Sequence, residues 1–398
     1  MRAVIVGGGI AGPATAMALQ AVGIEPLLLD ANPADRGEVG SWFTIAANGV
    51  AALDEIGALE QVRGLGVPTV RNVMASASGR PLGIIPLGAA REDGMVALSF
   101  KRTRLAAALT DLARQRGIEV RSQSRVTGAS TDDRGASVTL ESGETIAGDL
   151  VLGADGINSV VRSAIDPQAP TRRYMGLANF GGITESTALA ASLEPGAWRL
   201  VFGRRAFFGA LPTPAGDVVW FVNVPRQPVS RQERATTPPA VWQTLLADLA
   251  AADPGPFHDL ITTGRLELAG DNTYDLPHVP TWHRGRLGLV GDAIHAPAPS
   301  SGQGASMALE DAVVLASCLH TETTPERAFT TFEEQRRRRV ERIVAEGARS
   351  SSSKTVGSMQ RIVQDAILRI VFQRIATRDT QAWITDHRVT LPAGVTRP

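Results

Sequence analysis

Gly7, Gly9 and Gly12 stand in a G-x-G-x-x-G spacing that suits a phosphate-bearing ligand. The first glycine permits a tight turn, the second a close backbone approach to a pyrophosphate, and the third close packing of helix on strand. Backbone N–H groups and the positive end of a helix dipole at such a turn favour an anion. Pro13 follows in the first helical turn, where its missing N–H costs little. Asp30 is placed to hydrogen-bond ribose hydroxyls and to repel a 2′-phosphate. These residues point to a dinucleotide and leave FAD and NAD as alternatives. Two later stretches repeat the strand-then-turn grammar. DLVLGADGINSVVR carries Asp155-Gly156 and Arg162, and LGLVGDAIHAPAPSSGQGASMALEDA carries Gly291-Asp292, then Pro299, Gly302, Gln303 and Gly304.

The elements around these residues are legible from periodicity. RAVIVGGGIAGPATAMALQAVG reads as an apolar strand, a glycine turn and an alanine-rich helix ending near Gly23. IEPLLLD reads as a second buried parallel strand ending in Asp30. NGVAALDEIGAL and KRTRLAAALTDLARQRG are amphipathic helices, with short strands and turns between them. From Ile118 to Leu152 the period becomes two, with turns at Asp132 to Gly135 and at Ser142-Gly143. WRLVFGRRAFFGALP and GDVVWFVNVP alternate like an antiparallel sheet, and RLGLVGD returns to the parallel-strand pattern. The layout suggests an α/β fold: a Rossmann-like domain interrupted by a smaller antiparallel-sheet domain, with a C-terminal helical segment. The boundaries expected are 1–70, 101–170 and 271–345 for the first domain, 71–100 and 171–270 for the second, and 346–398 for the helical segment.

Composition excludes several classes. The 398 residues carry 40 basic and 40 acidic side chains, 43% hydrophobic and 20% charged residues, which describes an ordinary globular protein. There is no basic footprint for nucleic acid, no apolar run long enough for a membrane span, and no signal peptide is expected. Cytoplasmic location follows as an expectation. Cys318 is the only cysteine, so an internal disulfide framework and a thiolate metal cluster are excluded. It reads as a small core residue of VVLASCLH. Lysine occurs only at Lys101 and Lys354, which leaves almost no candidate for Schiff-base chemistry. The histidines show no metal-ligand spacing, and no metal is expected. Four consecutive arginines in EEQRRRRVERI, flanked by glutamates, read as a solvated helix face. MQRIVQDAILRIVFQRIATR is amphipathic and reads as packing back on the domain, with a membrane-surface helix as the alternative.

Jointly, GGGIAG, GADG with Arg162, and GD with the P-x-x-G-Q-G loop resemble the three fingerprints of the single-component FAD-dependent aromatic hydroxylases, the para-hydroxybenzoate hydroxylase-like family. The branch most similar is that of salicylate and urate hydroxylases and zeaxanthin epoxidase, over roughly residues 1–345. The resemblance implies that the first domain is an FAD-binding domain and the second a substrate domain, with FAD contacts at Gly7, Gly9, Ile10, Ala11, Gly12, Asp30, Ala31 and Arg36. It implies further contacts at Arg102 of R-x-x-L, at Val126 beside the adenine, and at Asp155, shared between FAD and the nicotinamide donor. Asp292 would bind the ribityl chain, and Pro299, Gly302, Gln303, Gly304 and Ala305 would approach the ring. A helix starting there aims N–H groups at the pyrimidine end and favours the anionic reduced ring. FEEQRRRR matches the family's aromatic-Glu-x-x-Arg-x-x-Arg helix. The sequence departs from the family at Ala47, commonly proline, and at Ser41-Trp42-Phe43, where small residues are usual.

The chemistry implied is cofactor-borne. NADH or NADPH reduces FAD, O2 adds to the reduced ring, and the C4a-hydroperoxyflavin hydroxylates or epoxidises an electron-rich carbon. No protein residue is certain to be catalytic. His295 reads either as a structural hydrogen-bonding group or as a proton-transfer group. The substrate is expected between the ring and the inserted sheet, near Trp42, Phe207, Val219, Phe221 and Pro299, with Phe208, Trp220 and Asn223 also offered. Phe207 and Val219 occupy positions where the urate-type branch uses arginine and tyrosine, which favours an apolar aromatic or polyketide-like substrate. Arg204 and Arg205 remain possible cations. The partners implied are that small aromatic substrate and O2, with no nucleic acid, and the chain is a monomer or homodimer. Alternatives are a non-catalytic FAD-binding protein and a flavin-dependent halogenase or oxidase; the W-x-W-x-I-P halogenase signature is absent.

Overall fold

The computed structural model describes residues 1–34, 40–91, 94–298, 301–352 and 381–395. Arg36, Pro299 and the amphipathic stretch 359–378 lie outside the described residues. The first sheet has six strands in the order His283–Arg284, Leu287–Leu289, Leu150–Gly153, Arg2–Val6, Glu25–Leu29, Glu119–Arg121. All neighbours are parallel except the edge pair His283–Arg284 and Leu287–Leu289. Helices on its faces leave its central strands almost wholly buried, which is why they read as apolar runs without alternation. The small residues of Ala11–Ala21 let that helix pack tightly against Gly304–Thr321.

A seven-stranded sheet forms the second layer, in the order Arg265–Asp275, Arg173–Thr184, Val218–Pro225, Phe207–Pro212, Ala197–Phe202, Arg71–Ser76, Pro81–Pro86. It is antiparallel save for the parallel pair Ala197–Phe202 and Arg71–Ser76. One face sends Phe180, Phe208, Trp220 and Val222 against the helices Pro239–Ala250 and Phe257–Thr263. The other face turns toward the first sheet. A three-stranded sheet of Trp42–Ile45, Leu98–Lys101 and Val67–Pro68 lies between the two layers. There Trp198 Nε1 donates to Thr44 Oγ1 and Ser99 Oγ, and Lys101 pairs with Glu267 at 2.9 Å across buried space. The observed architecture is therefore the interrupted Rossmann-like arrangement expected from periodicity. Among the described residues no helix is long and apolar enough to cross a membrane.

The arginine run departs from its sequence reading. Arg336 is 1% exposed, with Glu310 and Asp311 as its ion-pair partners at 2.7 and 2.8 Å. Arg339 binds Glu310 at 2.8 Å and donates to the carbonyls of Trp383 and Ile384. Arg338 is exposed, and Arg337 is half-buried between Glu333 and Glu341, donating to the Val279 and Pro280 carbonyls. The helical face is thus split: Arg336 and Arg339 project three residues apart into the protein, where two acids need neutralising.

Candidate functional site

Each fingerprint sits where a strand of the first sheet ends. After Val6 the chain turns at Gly7, whose φ of +114° suits a residue without a side chain. A Cβ there would lie 2.4 Å from the Ala154 carbonyl oxygen, so the first loop rests on the strand end that carries Asp155. At Gly12 a Cβ would meet the Gly7 oxygen at 1.8 Å, which makes this glycine the packing position of the turn. Gly9 differs: a Cβ would find nothing within 4 Å. Gly9 therefore borders open space on the side where a ligand would lie.

The other two strand ends are fastened together. Asp155 Oδ2 accepts from the Val160 and Val161 N–H groups at 2.7 and 3.3 Å, while Oδ1 has no partner. Burial pushes this carboxyl above its usual range, against the opposing effect of those hydrogen bonds. Ser159 caps the helix Val160–Ile165 by accepting from Arg162 N–H at 2.9 Å. The Arg162 guanidinium donates to the Ile157 and Ala293 carbonyls, at 2.7 and 3.0 Å. It is buried and acts as a strut between the Asp155 turn and the Asp292 turn. Gly291, at φ +62°, completes the arrangement. Its missing Cβ would lie 3.0 Å from Ala11 and 3.1 Å from Ala308, so the first and last fingerprints meet there.

One cavity of about 1580 Å³ joins these loops to the seven-stranded sheet. It is lined by Gly7, Gly9, Ile10, Ala11, Asp30, Ala31, Arg102, Val126, Asp155, Asp292, Gly302, Gln303, Gly304 and Ala305. Gly12 is not among the lining residues, as its packing position dictates. Asp30 is buried at the end of its strand, with Asn32 N–H and Nδ2 donating to its Oδ1 at 3.1 Å. Gln303 precedes the helix Gly304–Thr321, and Asn48 Nδ2 bonds both Gln303 Oε1 at 3.1 Å and Glu310 Oε1 at 2.7 Å. The N-terminus of that helix is thus held from behind by a buried polar network.

Of the substrate-side residues, Trp42, Phe207 and Phe221 line the cavity, together with Asn223 and Trp220. Val219 does not: it is 0% exposed and packs with Val67, Trp198 and Leu211. Val219 shares the face of Phe221, but it lies toward the covered end of the strand. Phe208 belongs to the opposite core. Arg204 and Arg205 are engaged with Asp253 and Asp248 and do not line the cavity. His295 is also displaced from it. Its Nε2 lies 2.5 Å from Asp311 Oδ2 in a buried pair, and it is not among the lining residues, which favours the structural role over proton transfer to a substrate. Burial raises the Cys318 thiol to about 11, in keeping with a core position. No cluster of metal-ligating side chains occurs among the described residues.

Sequence reasoning missed several lining residues: Asn72, Met74, Asn179, Leu200, Glu267, and the arginines Arg172, Arg231 and Arg234. For the five on strands the only signal was alternation, which identifies a face but not what lies across from it. Arg172 precedes a strand, and Arg231 and Arg234 lie on the helix Arg231–Thr236, where nothing local pointed to the cavity.

Comparison with known proteins identifies a family and a shared fold. The FAD binding domain family matches residues 1–347. A FAD-dependent urate hydroxylase of Klebsiella pneumoniae is 28% identical over 358 residues, covering 86% of this chain and 88% of that protein. Aurachin C monooxygenase/isomerase of Stigmatella aurantiaca is 27% identical over 348 residues, covering 87% of each. The crystal structure of Klebsiella pneumoniae HpxO complexed with FAD and uric acid superposes with a TM-score of 0.80 and 25% identity, covering 95% of this chain and 96% of that one.

Proposed function

This chain belongs to the FAD binding domain family, and from that premise we propose that it oxidises NADH or NADPH and transfers one atom of O2 to an apolar aromatic or polyketide-like molecule. It is an FAD-dependent monooxygenase of the group that hydroxylates or epoxidises. The observation that carries the reading is the single cavity running from both glycine loops to one face of the seven-stranded sheet. The site fits FAD on its own terms: added Cβ atoms at Gly9 and Gly302 would meet nothing within 4 Å, and Asp155 keeps a buried, unpartnered oxygen.

In this reading the N–H groups of the Gly7–Ala11 turn, with the dipole of the helix behind them, oppose the pyrophosphate charge. Asp30 accepts from ribose, Arg102 and Val126 border the nucleotide, and Asp292 accepts from the ribityl hydroxyls. Gln303, Gly304 and Ala305 present the helix N-terminus to the ring. When bound, FAD supplies the redox chemistry, accepting a hydride from a nicotinamide and then engaging dioxygen. The protein needs no acid–base dyad for this. Its tasks are to bind negative charge at a helix end, to orient the substrate, and to keep water away with the apolar sheet face.

The test is aerobic turnover of the purified flavoprotein with NADH and with NADPH, across a panel of aromatic compounds. Oxidation accelerated by a substrate, with a product one oxygen atom heavier, is the expected result. Bound FAD with reductant consumption that no aromatic compound alters, and no oxygenated product, would overturn the assignment in favour of a binding protein.

A further inference from the structure

The cavity face of the seven-stranded sheet is built unlike its other face. Reading across the strands, it presents Asn72 and Met74, then Trp198, Leu200 and Phe202, then Phe207 and Gly209, then Phe221 and Asn223, and finally Asn179 and Gly181. No charged side chain occurs in that set. Phe221 stands between two glycines, with Gly209 its partner on one neighbouring strand and Gly181 on the other. A Cβ on Gly209 would lie 2.1 Å from Phe221 Cε1 and 2.4 Å from Cζ. The ring therefore lies down over the Gly209 α-carbon, in space that any other residue would fill. Trp198 and Phe207 flank it with ring centroids 5.5 and 6.0 Å away, and Phe202 continues the row 4.9 Å beyond Phe207.

We propose that Gly209 and Phe221 together determine substrate specificity, forming an aromatic shelf that selects a flat, uncharged, multi-ring substrate over a small anionic one. The proposal rests on the monooxygenase reading and deepens it. The row of rings exceeds the length of a single benzene ring, so a fused ring system gains contact that a one-ring ligand cannot. The polar handle is Asn179: its Oδ1 accepts from Asn223 Nδ2 at 2.9 Å, which orients its own amide N–H groups to donate to a substrate carbonyl or hydroxyl. Two carboxylates border this face from the edge strand Arg265–Asp275: Glu267 is paired with Lys101 and Arg265 at 2.9 and 3.0 Å, and Asp271, opposite Asn179, faces Arg234 at 3.7 Å. Arg172, Arg231 and Arg234, which also line the cavity, are solvent-exposed, and Arg234 has Asp271 as its counter-charge.

The test substitutes Gly209→Ala and Phe221→Ala in the FAD-bound protein and titrates hydroxyanthraquinone and salicylate, following the flavin absorbance. Ordinary carbon contacts lie near 3.5–4.0 Å, so the methyl group that Gly209→Ala introduces must lift the Phe221 ring by more than an ångström toward the cavity. In the unaltered protein hydroxyanthraquinone binds at least about tenfold tighter than salicylate. Gly209→Ala weakens it about tenfold, leaving salicylate and FAD within about twofold, an effect the size of a moderate overpacking penalty. Phe221→Ala removes the shelf instead of lifting it and gives the same selective loss, so the proposal stays testable if Gly209→Ala prevents folding. Tighter salicylate binding in the unaltered protein, or equal loss for both ligands, would overturn the shelf. Selective binding without oxygenation of any compound would leave the shelf standing and sink the monooxygenase reading.

Discussion

Replacing Arg336 with methionine, beside the same change at Arg338, separates a buried ion network from a solvated helix face. The two positions belong to one run of arginines on one helix, yet Arg338 is exposed while Arg336 is 1% exposed. Arg336 neutralises Glu310 at 2.7 Å and Asp311 at 2.8 Å. Removing one partner of a buried pair typically costs about 3–5 kcal/mol, because the remaining charge is stranded. Here the loss falls near the lower end, about 3 kcal/mol, since both acids keep other partners. Glu310 retains Arg339 and Asn48, and Asp311 retains His295 and the Gly291 N–H. The assay is urea unfolding of the flavoprotein, followed by tryptophan and flavin fluorescence so that coincidence of the transitions is checked. Arg338→Met is expected within about 0.5 kcal/mol of the unaltered chain. Adding Asp311→Asn to Arg336→Met returns part of the loss, because a stranded charge goes with it. If Arg336→Met matches Arg338→Met, the buried network contributes nothing measurable and the reasoning fails.

Other consequences can be checked on the same protein. Although burial opposes its ionisation, the His295 and Arg336 charges hold Asp311 down to about 2, from an ordinary 3.8. A depressed carboxyl contributes stability above its unfolded pKa and loses it as pH falls through the folded one. About 2 kcal/mol should therefore disappear between about pH 4 and pH 2, and Asp311→Asn should flatten that limb of the stability profile. At the first loop, Gly12→Ala places a methyl 1.8 Å from the Gly7 oxygen, whereas at Gly9 nothing lies within 4 Å. Thermal melting should thus show a loss of about 1–3 kcal/mol for Gly12→Ala and almost none for Gly9→Ala, whose defect is in FAD retention; similar melting for the two would refute the distinction. Asp292→Ala should keep the fold by circular dichroism but weaken FAD binding by about tenfold or more, the cost of a hydrogen bond to a charged acceptor. Unchanged flavin content after dialysis would remove Asp292 from the cofactor site.

Local signals made the glycine turns and the first sheet legible. A G-x-G-x-x-G run after an apolar strand constrains backbone geometry within a dozen residues, and the structure puts Gly7 at positive φ against Ala154. Nonlocal facts were hidden. Four arginines in a row look solvated because nothing nearby in sequence demands them inside. Their partners Glu310 and Asp311 lie on another helix, and the clue was there: two adjacent acids inside the apolar run SMALEDAVVLASC require buried cations. Alternation likewise put Val219 and Phe221 on one face without telling which end of the strand is covered. The shelf at Gly209 had no sequence signal, since a glycine in a strand is explained only by the ring that lies over it.

The buried network also bears on the site's electrostatics. Glu310 and Asp311 fall in the second turn of the helix Gly304–Thr321, whose N-terminus meets the cavity. Two uncompensated carboxylates so near that end would offset the partial positive charge of its N–H groups, which is only about half an elementary charge. Arg336 and Arg339 face those acids from the neighbouring helix Pro325–Ser352 and cancel them at close range. The arginine helix thus has work beyond packing. It keeps the far end of the cavity positive by neutralising acids that themselves hold Asn48, Gly291 and His295 in place. On the proposed reading, an anionic reduced ring bound there would meet a helix end whose field survives.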